Sequence, residues 1–424
     1  MGTLLTYLAL FGGFFAFGVP IVLSLSVAAV LMLMINGLDL QIFANVFVRS
    51  MDNFSLTAMF FFILAGEIMN GGGMTRRIVA AVSRLVRGVP GGLAIIAVIS
   101  CALFAAINGS AIATAIAIGA ILYPAMVRQG YGKAFSAAVI AAGGIIGPII
   151  PPSIPMIIYG ATTGDSIAAL FAGGIILGIL IAAAEVVVVY LISRKRGYGV
   201  NVEEIDFGKT KGVVWALVFP VFIFASIVGG IMTATETSAF AVVYAWVVGT
   251  FIYREFKFRD FAAMVRRAML GSGMVMAIVG AASAVAWVLT YERVPQDVTI
   301  AMVNGLNTPT LFMVASFAIL LIVGMIMDLT PAILILTPIF MGPVLAFGVD
   351  PIYFGVFFCS VLSAGLITPP VGTLIFTGCS TCGRPLGEVV REMTPFIVAV
   401  YIVLFVSALF PEIITFIPRQ VFRL

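Results

Sequence analysis

The stretch GPIIPPSIPMIIYGATTG, residues 147–164, is repeated in outline by GLITPPVGTLIFTGCSTC, residues 365–382. A shift of 218 positions aligns them without a gap. The shift places glycine, proline and threonine on the same residue types, with Gly147, Pro151, Pro152, Gly160 and Thr163 on Gly365, Pro369, Pro370, Gly378 and Thr381. Chance explains matched apolar residues in an apolar chain, but it explains a shared Gly-x3-Pro-Pro-x7-Gly poorly. We therefore predict an internal duplication.

The composition around these segments places the chain in a membrane. Of the 424 residues, 62% are hydrophobic and only 9% are charged, and the mean hydropathy is +1.22. Soluble domains carry about a quarter charged residues, so lipid must cover much of this surface. The net charge of +4 does not indicate a nucleic-acid partner, and the absence of histidine removes the commonest general base.

The apolar runs are irregular in length. Several exceed the roughly 20 residues that one crossing needs, and Gly, Pro or polar residues interrupt them, which is typical of broken or re-entrant helices. The runs are 3–36, 54–70, 92–125, 133–160, 167–193, 213–231, 234–253, 269–290, 309–346, 352–378 and 393–417. We predict an all-α integral membrane protein with about 11 transmembrane helices plus two re-entrant helical hairpins.

Basic loops define the predicted topology. The polar stretch 193–212 contains Arg194, Lys195 and Arg196 and is expected in the cytoplasm. It divides the chain into a first half, 1–192, a linker, 193–212, and a second half, 213–424.

An amphipathic stretch in each half indicates how the halves are oriented. Residues 74–88 carry four arginines, Arg76, Arg77, Arg84 and Arg87, and suit the cytoplasmic surface. Their counterpart, 291–306, is mixed or acidic, and we place it outside. Equivalent elements on opposite sides predict an inverted repeat.

Each half contains two polar interruptions. They are AAINGSAIAT (105–114) and GGIIGPIIPPS (143–153) in the first half, and GMIMDLTPA (324–332) and SAGLITPPVGT (363–373) in the second. Unwound backbone in hydrocarbon costs several kcal/mol per unpaired group. We therefore expect the freed carbonyls to bind a ligand. Carbonyls, hydroxyls and one carboxylate, Asp328, suit a hard cation such as sodium. The alternative is that these polar residues only pack helices together.

Sequence signatures of enzymes are missing. No Walker A, HExxH or GxSxG motif occurs, so neither ATP hydrolysis nor hydrolase chemistry is indicated. Cys379 and Cys382 have CxxC spacing, but a zinc site would need a second pair or histidine.

The order and spacing of AINGSAIATAIAIGAILYPAM, GPIIPPSIPMIIYG, ATETSAFAVVYA, MDLTPAILILTPIF and GLITPPVGTLIFTGCS resemble the large membrane subunit of tripartite ATP-independent periplasmic (TRAP) transporters. The resemblance covers essentially the whole chain. It implies an elevator-type fold like that of the ion transporter superfamily, in the bacterial inner membrane. It also implies a separate small four-helix membrane subunit, a periplasmic substrate-binding protein and sodium as the coupling ion.

The resemblance also implies site residues. One sodium site would involve Ala105, Asn108, Gly144 and Pro148, and the other Gly324, Asp328, Thr368 and Val371. The substrate would lie near Ser110, Pro152, Thr162, Thr163 and Thr373.

We expect sodium-driven uptake of a small organic acid, of carboxylate or sialic-acid type. Dicarboxylates, keto acids and sugar acids also remain open as substrates, and so does proton coupling, because a buried Asp328 could titrate. The alternatives are a stand-alone anion transporter or antiporter, and, from other classes, an intramembrane enzyme or a passive scaffold. Missing catalytic pairs argue against the enzyme, and the costly duplicated breaks argue against the scaffold.

Overall fold

The computed structural model describes residues 2–86, 88–199 and 212–422, which form twenty helices and no strand. The prediction of an all-α fold is confirmed. Most of the predicted cytoplasmic linker, residues 200–211, lies outside the described residues, as does Arg87 of the predicted amphipathic stretch 74–88.

Ten α-helices form the first half. They are α1 Gly2–Ala16, α2 Ile21–Ile35, α3 Gln41–Met51, α4 Thr57–Gly71, α5 Met74–Leu85, α6 Gly92–Asn108, α7 Ala111–Arg128, α8 Lys133–Gly144, α9 Ile154–Thr163 and α10 Ile167–Arg196. A 3₁₀ turn, Phe54–Leu56, leads into α4.

Ten more form the second half. They are α11 Val213–Val228, α12 Ala234–Val247, α13 Phe258–Tyr291, α14 Val294–Gly305, α15 Pro309–Ile326, α16 Leu329–Ala346, α17 Pro351–Gly365, α18 Thr373–Cys382, α19 Leu386–Leu409 and α20 Glu412–Phe422. A π-helical turn, Val248–Ile252, extends α12.

The overlong apolar runs are broken where glycine, proline and polar residues interrupt them. The run 92–125 becomes α6 and α7, 133–160 becomes α8 and α9, 309–346 becomes α15 and α16, and 352–378 becomes α17 and α18. Eight described helices are long and apolar enough to cross a membrane unaided. The predicted number of eleven crossings therefore stays a prediction.

Helix boundaries repeat with the same period as the sequence. Moved by 218 positions, the end of α6 at Asn108 falls on the end of α15 at Ile326, and the start of α7 at Ala111 falls on the start of α16 at Leu329. The end of α7 and the start of α8 match the end of α16 and the start of α17 in the same way. Both Pro-Pro bonds, Pro151-Pro152 and Pro369-Pro370, are cis.

The two halves interlock through these broken helices. Helix α9 of the first half packs on α16 and α17 of the second, and α18 of the second half packs on α7 and α8 of the first. The equivalent helices α10 and α19 pack on each other. The interruptions of both halves are thereby gathered into one core, which we call the repeat core (α6–α10 and α15–α19).

A second group of helices, α2 to α5 with α11 to α14, flanks the repeat core, and we call it the flanking group. Within it α4 packs on α12 and α13, and Arg77 of α5 pairs with Glu255 at 2.9 Å. The two halves contact the core differently: α4 and α5 pack on α6, the helix before the first interruption of its half, whereas α13 and α14 pack on α16, the helix after the matching interruption.

Candidate functional site

The first interruption is a tight tip between α6 and α7. Gly109 has φ +62°, a left-handed conformation that favours glycine. The buried Asn108 side chain accepts hydrogen bonds from the Ser110 amide at 2.9 Å and the Thr114 hydroxyl at 3.2 Å. The Gly109 amide donates to the Ala105 carbonyl at 3.1 Å. Hydrogen bonds within and next to the Asn-Gly-Ser sequence thus stabilise the tip, and Asn108 Oδ1 already accepts two of them.

This tip touches the second interruption of the same half, and only small residues permit the approach. A Cβ added at Gly109 would collide with the Pro152 carbonyl, and one at Gly144 would lie 3.1 Å from the Ala111 carbonyl. The Ser153 hydroxyl donates to the Pro148 carbonyl. The predicted first sodium site therefore lies in one cluster, together with the predicted substrate residues Ser110 and Pro152.

The second half gathers its own cluster. A Cβ added at Gly365 would collide with the backbone of Gly324, and the Val371 amide donates to the Met325 carbonyl at 3.2 Å. These contacts hold the segment that contains Thr368 and Val371 against the end of α15. Gly324, Thr368 and Val371 are thereby brought together, with Asp328 a few residues further along the same interruption.

Asp328 begins α16 but does not cap it with its side chain. It occupies the N-cap position in extended conformation without a capping hydrogen bond. Among the described residues, no Lys or Arg side-chain nitrogen lies within 4.0 Å of the Asp328 carboxylate oxygens. Asp328 is partly buried, and a carboxylate at membrane depth without a cation is costly. The carboxylate is therefore suited to a metal ion.

The donor set fits a hard, oxygen-preferring cation. Backbone carbonyls, the Thr368 hydroxyl and one carboxylate are ligands that sodium accepts. No group of three or more His, Cys, Asp or Glu residues that could hold a metal is found among the described residues. This arrangement of oxygen ligands therefore does not suit soft transition metals.

Tyr401 on α19 is part of the second cluster, and sequence reasoning missed it. Its hydroxyl lies 2.6 Å from Thr368 Oγ1, and Thr368 donates its own proton to the Ala364 carbonyl at 2.8 Å. Tyr401 is therefore the donor in this pair. The available signal was the single tyrosine in the mostly apolar run 393–417.

The predicted substrate residues fall into two places. Thr373 starts α18, and its buried hydroxyl has no hydrogen-bond partner. The neighbouring side chain of Leu374 comes within 3.4 Å of a Cβ built at Gly144, so Thr373 lies near the first cluster. Thr162 and Thr163 lie at the other end of α9, about 12 Å along the helix from its start at Ile154. The structure does not bring them to the tips.

Two cavities flank Asn53 beside the end of α9. One, of about 220 Å³, includes Arg49, Ser50, Asp52, Asn53 and Thr162 in its lining. The other, of about 460 Å³, is lined in part by Asn53, Ala161 and Asp165. The Asn53 side chain donates to the Ala161 carbonyl at 3.4 Å and so joins the flanking group to the repeat core. Sequence reasoning singled out neither Arg49 nor Asn53.

Solved structures define the class of fold. The chain resembles the YdaH transporter of Alcanivorax borkumensis, with a TM-score of 0.64 and 13% identity over 86% of each chain. It also resembles MtrF of Neisseria gonorrhoeae, described as illuminating a class of antimetabolite efflux pumps, with a TM-score of 0.63, 15% identity, and 89% of this chain and 83% of that chain covered. The fold is therefore that of multi-pass membrane transporters.

Proteins related in sequence identify the family more narrowly than the fold does. The family described as "Tripartite ATP-independent periplasmic transporter, DctM component" matches residues 8–413. The 2,3-diketo-L-gulonate TRAP transporter large permease protein YiaN of Escherichia coli (strain K12) is 38% identical over 98% of both chains. The C4-dicarboxylate TRAP transporter large permease protein DctM of Pseudomonas aeruginosa is 34% identical over 87% of both. The chain belongs to the TRAP transporter family as a large permease component, and it is not an enzyme.

A third relative is longer than this chain. The isethionate TRAP transporter permease protein DctMQ of Oleidesulfovibrio alaskensis is 38% identical over 95% of this chain but only 65% of that protein.

Proposed function

We propose that this permease takes up a small organic acid across the bacterial inner membrane, driven by a sodium gradient. Its proposed partners are a small four-helix membrane subunit and a periplasmic substrate-binding protein. The observation that carries the proposal is the pair of matched helix interruptions, which the interlocked halves gather into one core. Such breaks are tolerated at membrane depth only where they line a protein-enclosed site.

Sodium coupling is supported by the chemistry of the two clusters. The first offers carbonyls at Ala105, Gly144 and Pro148, and the second adds the Asp328 carboxylate and the Thr368 hydroxyl. Oxygen ligands with at most one carboxylate suit a monovalent hard cation better than a divalent or soft one. Filling both clusters would neutralise Asp328 and connect each hairpin tip to its partner segment.

An organic acid as cargo is supported by the relatives. Their names specify 2,3-diketo-L-gulonate, C4-dicarboxylates and isethionate, all of which are organic anions. Ser110, Pro152 and Thr373 lie beside the first cluster and would contact the cargo. The unpartnered Thr373 hydroxyl can donate to a carboxylate there.

Movement of the repeat core against the flanking group, as in an elevator, is the proposed transport step. Its support is the division of the described helices into an interlocked core with both clusters and a separate group of flanking helices. The clusters would travel with the core, because all their residues lie on core elements.

The test replaces Asp328 with alanine in the complete transporter reconstituted in vesicles. Because Asp328 carries the one carboxylate of the two predicted sodium sites, we expect sodium-dependent uptake to be lost while the protein inserts normally. Asp260→Ala is the matched control, since this exposed acid lies in the first turn of α13 in the flanking group and belongs to neither cluster. Uptake that is unchanged in Asp328→Ala, or that follows a proton gradient without sodium, would reject sodium coupling through this residue.

A further inference from the structure

The 220 Å³ cavity between the end of α3 and the end of α9, which we call the outer cavity, is not part of either cluster. We propose that it is a second binding site for the transported acid, and that it selects a monocarboxylate carrying several hydroxyl groups, such as a sugar acid. This proposal rests on the proposed function and specifies its substrate class.

Arg49 supplies the cationic pole of the outer cavity. It is exposed, and among the described residues no carboxylate oxygen lies within 4.0 Å of its guanidinium. A guanidinium presents five N–H donors in a planar fork that matches a carboxylate bidentately. Arg49 is therefore available to the carboxylate of a ligand.

The other polar groups of the cavity are mainly acceptors. The Ser50 hydroxyl donates its proton to the Phe47 carbonyl at 3.1 Å, and the Thr162 hydroxyl donates to the Ile158 carbonyl at 2.8 Å. With their protons committed, both oxygens can only accept from a ligand. Asp52 adds a carboxylate, which also accepts only. The cavity thus combines one charged donor with three acceptors, and the Asn53 amide and the Ser283 hydroxyl add uncharged donors.

This distribution selects between classes of organic acid. A polyhydroxy monocarboxylate can place its carboxylate on Arg49 and donate its hydroxyl protons to Asp52, Ser50 and Thr162. A dicarboxylate would bring a second negative charge towards Asp52 and would find no further charged donor. Like charges at close range are unfavourable, so the cavity should discriminate against dicarboxylates.

The position of the cavity also suits a binding site. Thr162 precedes α10, a helix of 30 residues that ends with Arg194, Lys195 and Arg196. Because such basic ends mark the cytoplasmic side, the cavity opens on the opposite side, where substrate arrives. Val279, Ser283 and Leu334 of α13 and α16 form its other wall, so it lies between helices and not on a lipid-facing surface.

The test measures equilibrium binding of radiolabelled gluconate, with succinate as competitor, to the purified permease in phosphatidylcholine nanodiscs. We expect Arg49→Gln to weaken gluconate binding at least tenfold and Arg49→Lys to weaken it less. Asp52→Asn should bring the affinity for succinate closer to that for gluconate. Arg391→Gln, which removes an exposed arginine from α19, is the control and should bind as the wild type does.

Equal gluconate affinity in wild type and Arg49→Gln, or no gluconate binding by the wild type, would overturn the proposal. A lipid phosphate is the competing ligand for Arg49. If phosphatidylglycerol in the nanodiscs abolishes gluconate binding, the cavity is a lipid site and the proposal is wrong.

Uptake by the complete transporter separates this proposal from the proposed function. Arg49→Gln should raise the KM for gluconate severalfold while the maximal rate is retained. Absence of sodium-driven uptake of any acid by the wild type would count against the proposed function, and the binding experiment would still decide on the outer cavity.

Discussion

Tyr401 and Thr368 show how much one hydrogen bond contributes to the second cluster. The Thr368 hydroxyl gives its proton to the Ala364 carbonyl and accepts from Tyr401, so its remaining lone pair has a fixed direction. A ligand oxygen held in this way needs no reorientation when a cation binds. Tyr401 is thus a positioning residue for the predicted sodium ligand Thr368.

Replacing Tyr401 by phenylalanine tests this role. A neutral hydrogen bond contributes about 1 kcal/mol, so the sodium concentration for half-maximal uptake should rise about fivefold, with the maximal rate retained at high sodium. Sodium titrations of uptake measure the change. Tyr291→Phe, at an exposed tyrosine, should leave the titration unchanged. An unchanged half-maximal sodium concentration in Tyr401→Phe would show that the pair is only structural.

Residue-level prediction from the sequence succeeded where the signal is local. Asn108 and Gly109 predict the turn between α6 and α7, since asparagine and glycine both favour turn conformations. Tyr401 contacts Thr368 of a distant segment, and Arg49 lines a cavity together with residues of α9, α13 and α16, so no local pattern in the sequence indicates either position. The family resemblance alone placed Thr162 near Pro152, and α9 puts about 12 Å of helix between its start at Ile154 and Thr162.

At the scale of elements, the close crossing of α15 and α17 depends on glycine. A Cβ at Gly365 would collide with the backbone of Gly324, and backbone cannot move aside as a flexible side chain can. The crossing therefore fixes the distance between the Asp328 interruption and the segment that carries Thr368.

Gly365→Ala should destabilise the protein by about 1–3 kcal/mol, the usual cost of overpacking. Gly387→Ala is the matched control, because α19 has open space at that position and alanine favours a helix. Thermal unfolding of the purified protein in detergent compares the two variants. A melting temperature for Gly365→Ala equal to that of Gly387→Ala would contradict the packing argument.

The element pattern was largely readable from the sequence. Glycine or proline lies at three of the breaks in the four long runs, since proline removes a backbone donor and glycine weakens a helix, and Asp328 marks the break between α15 and α16. The number of complete crossings could not be read in the same way. Short half-helices and full spans are equally apolar, and only packing distinguishes them.

At the scale of the whole molecule, the contact between α14 and α16 joins the flanking group to the repeat core. A Cβ built at Gly342 on α16 lies 3.6 Å from the Thr299 Cβ on α14. Disulfides need a Cβ separation of about 3.5–4.5 Å, so cysteines at these two positions should bond in the conformation described here.

In a background without the four native cysteines, the pair Thr299→Cys and Gly342→Cys should form a disulfide on oxidation and stop uptake. Reduction should restore uptake, because the proposed movement requires α16 to leave α14. Each single variant under oxidation is the control. Full uptake by the oxidised pair, with the bond verified by mass spectrometry, would exclude movement at this contact.

The unequal contacts of the two halves have one more consequence. Helix α6 contacts the flanking group in one half, and helix α16, which corresponds to α7 and not to α6, contacts it in the other. The two repeats are therefore arranged differently against the flanking group within a single chain. If the two halves exchanged these arrangements, the resulting conformation would be related to the present one by a two-fold rotation about an axis in the membrane plane, and it would open towards the other side of the membrane, as the proposed movement requires.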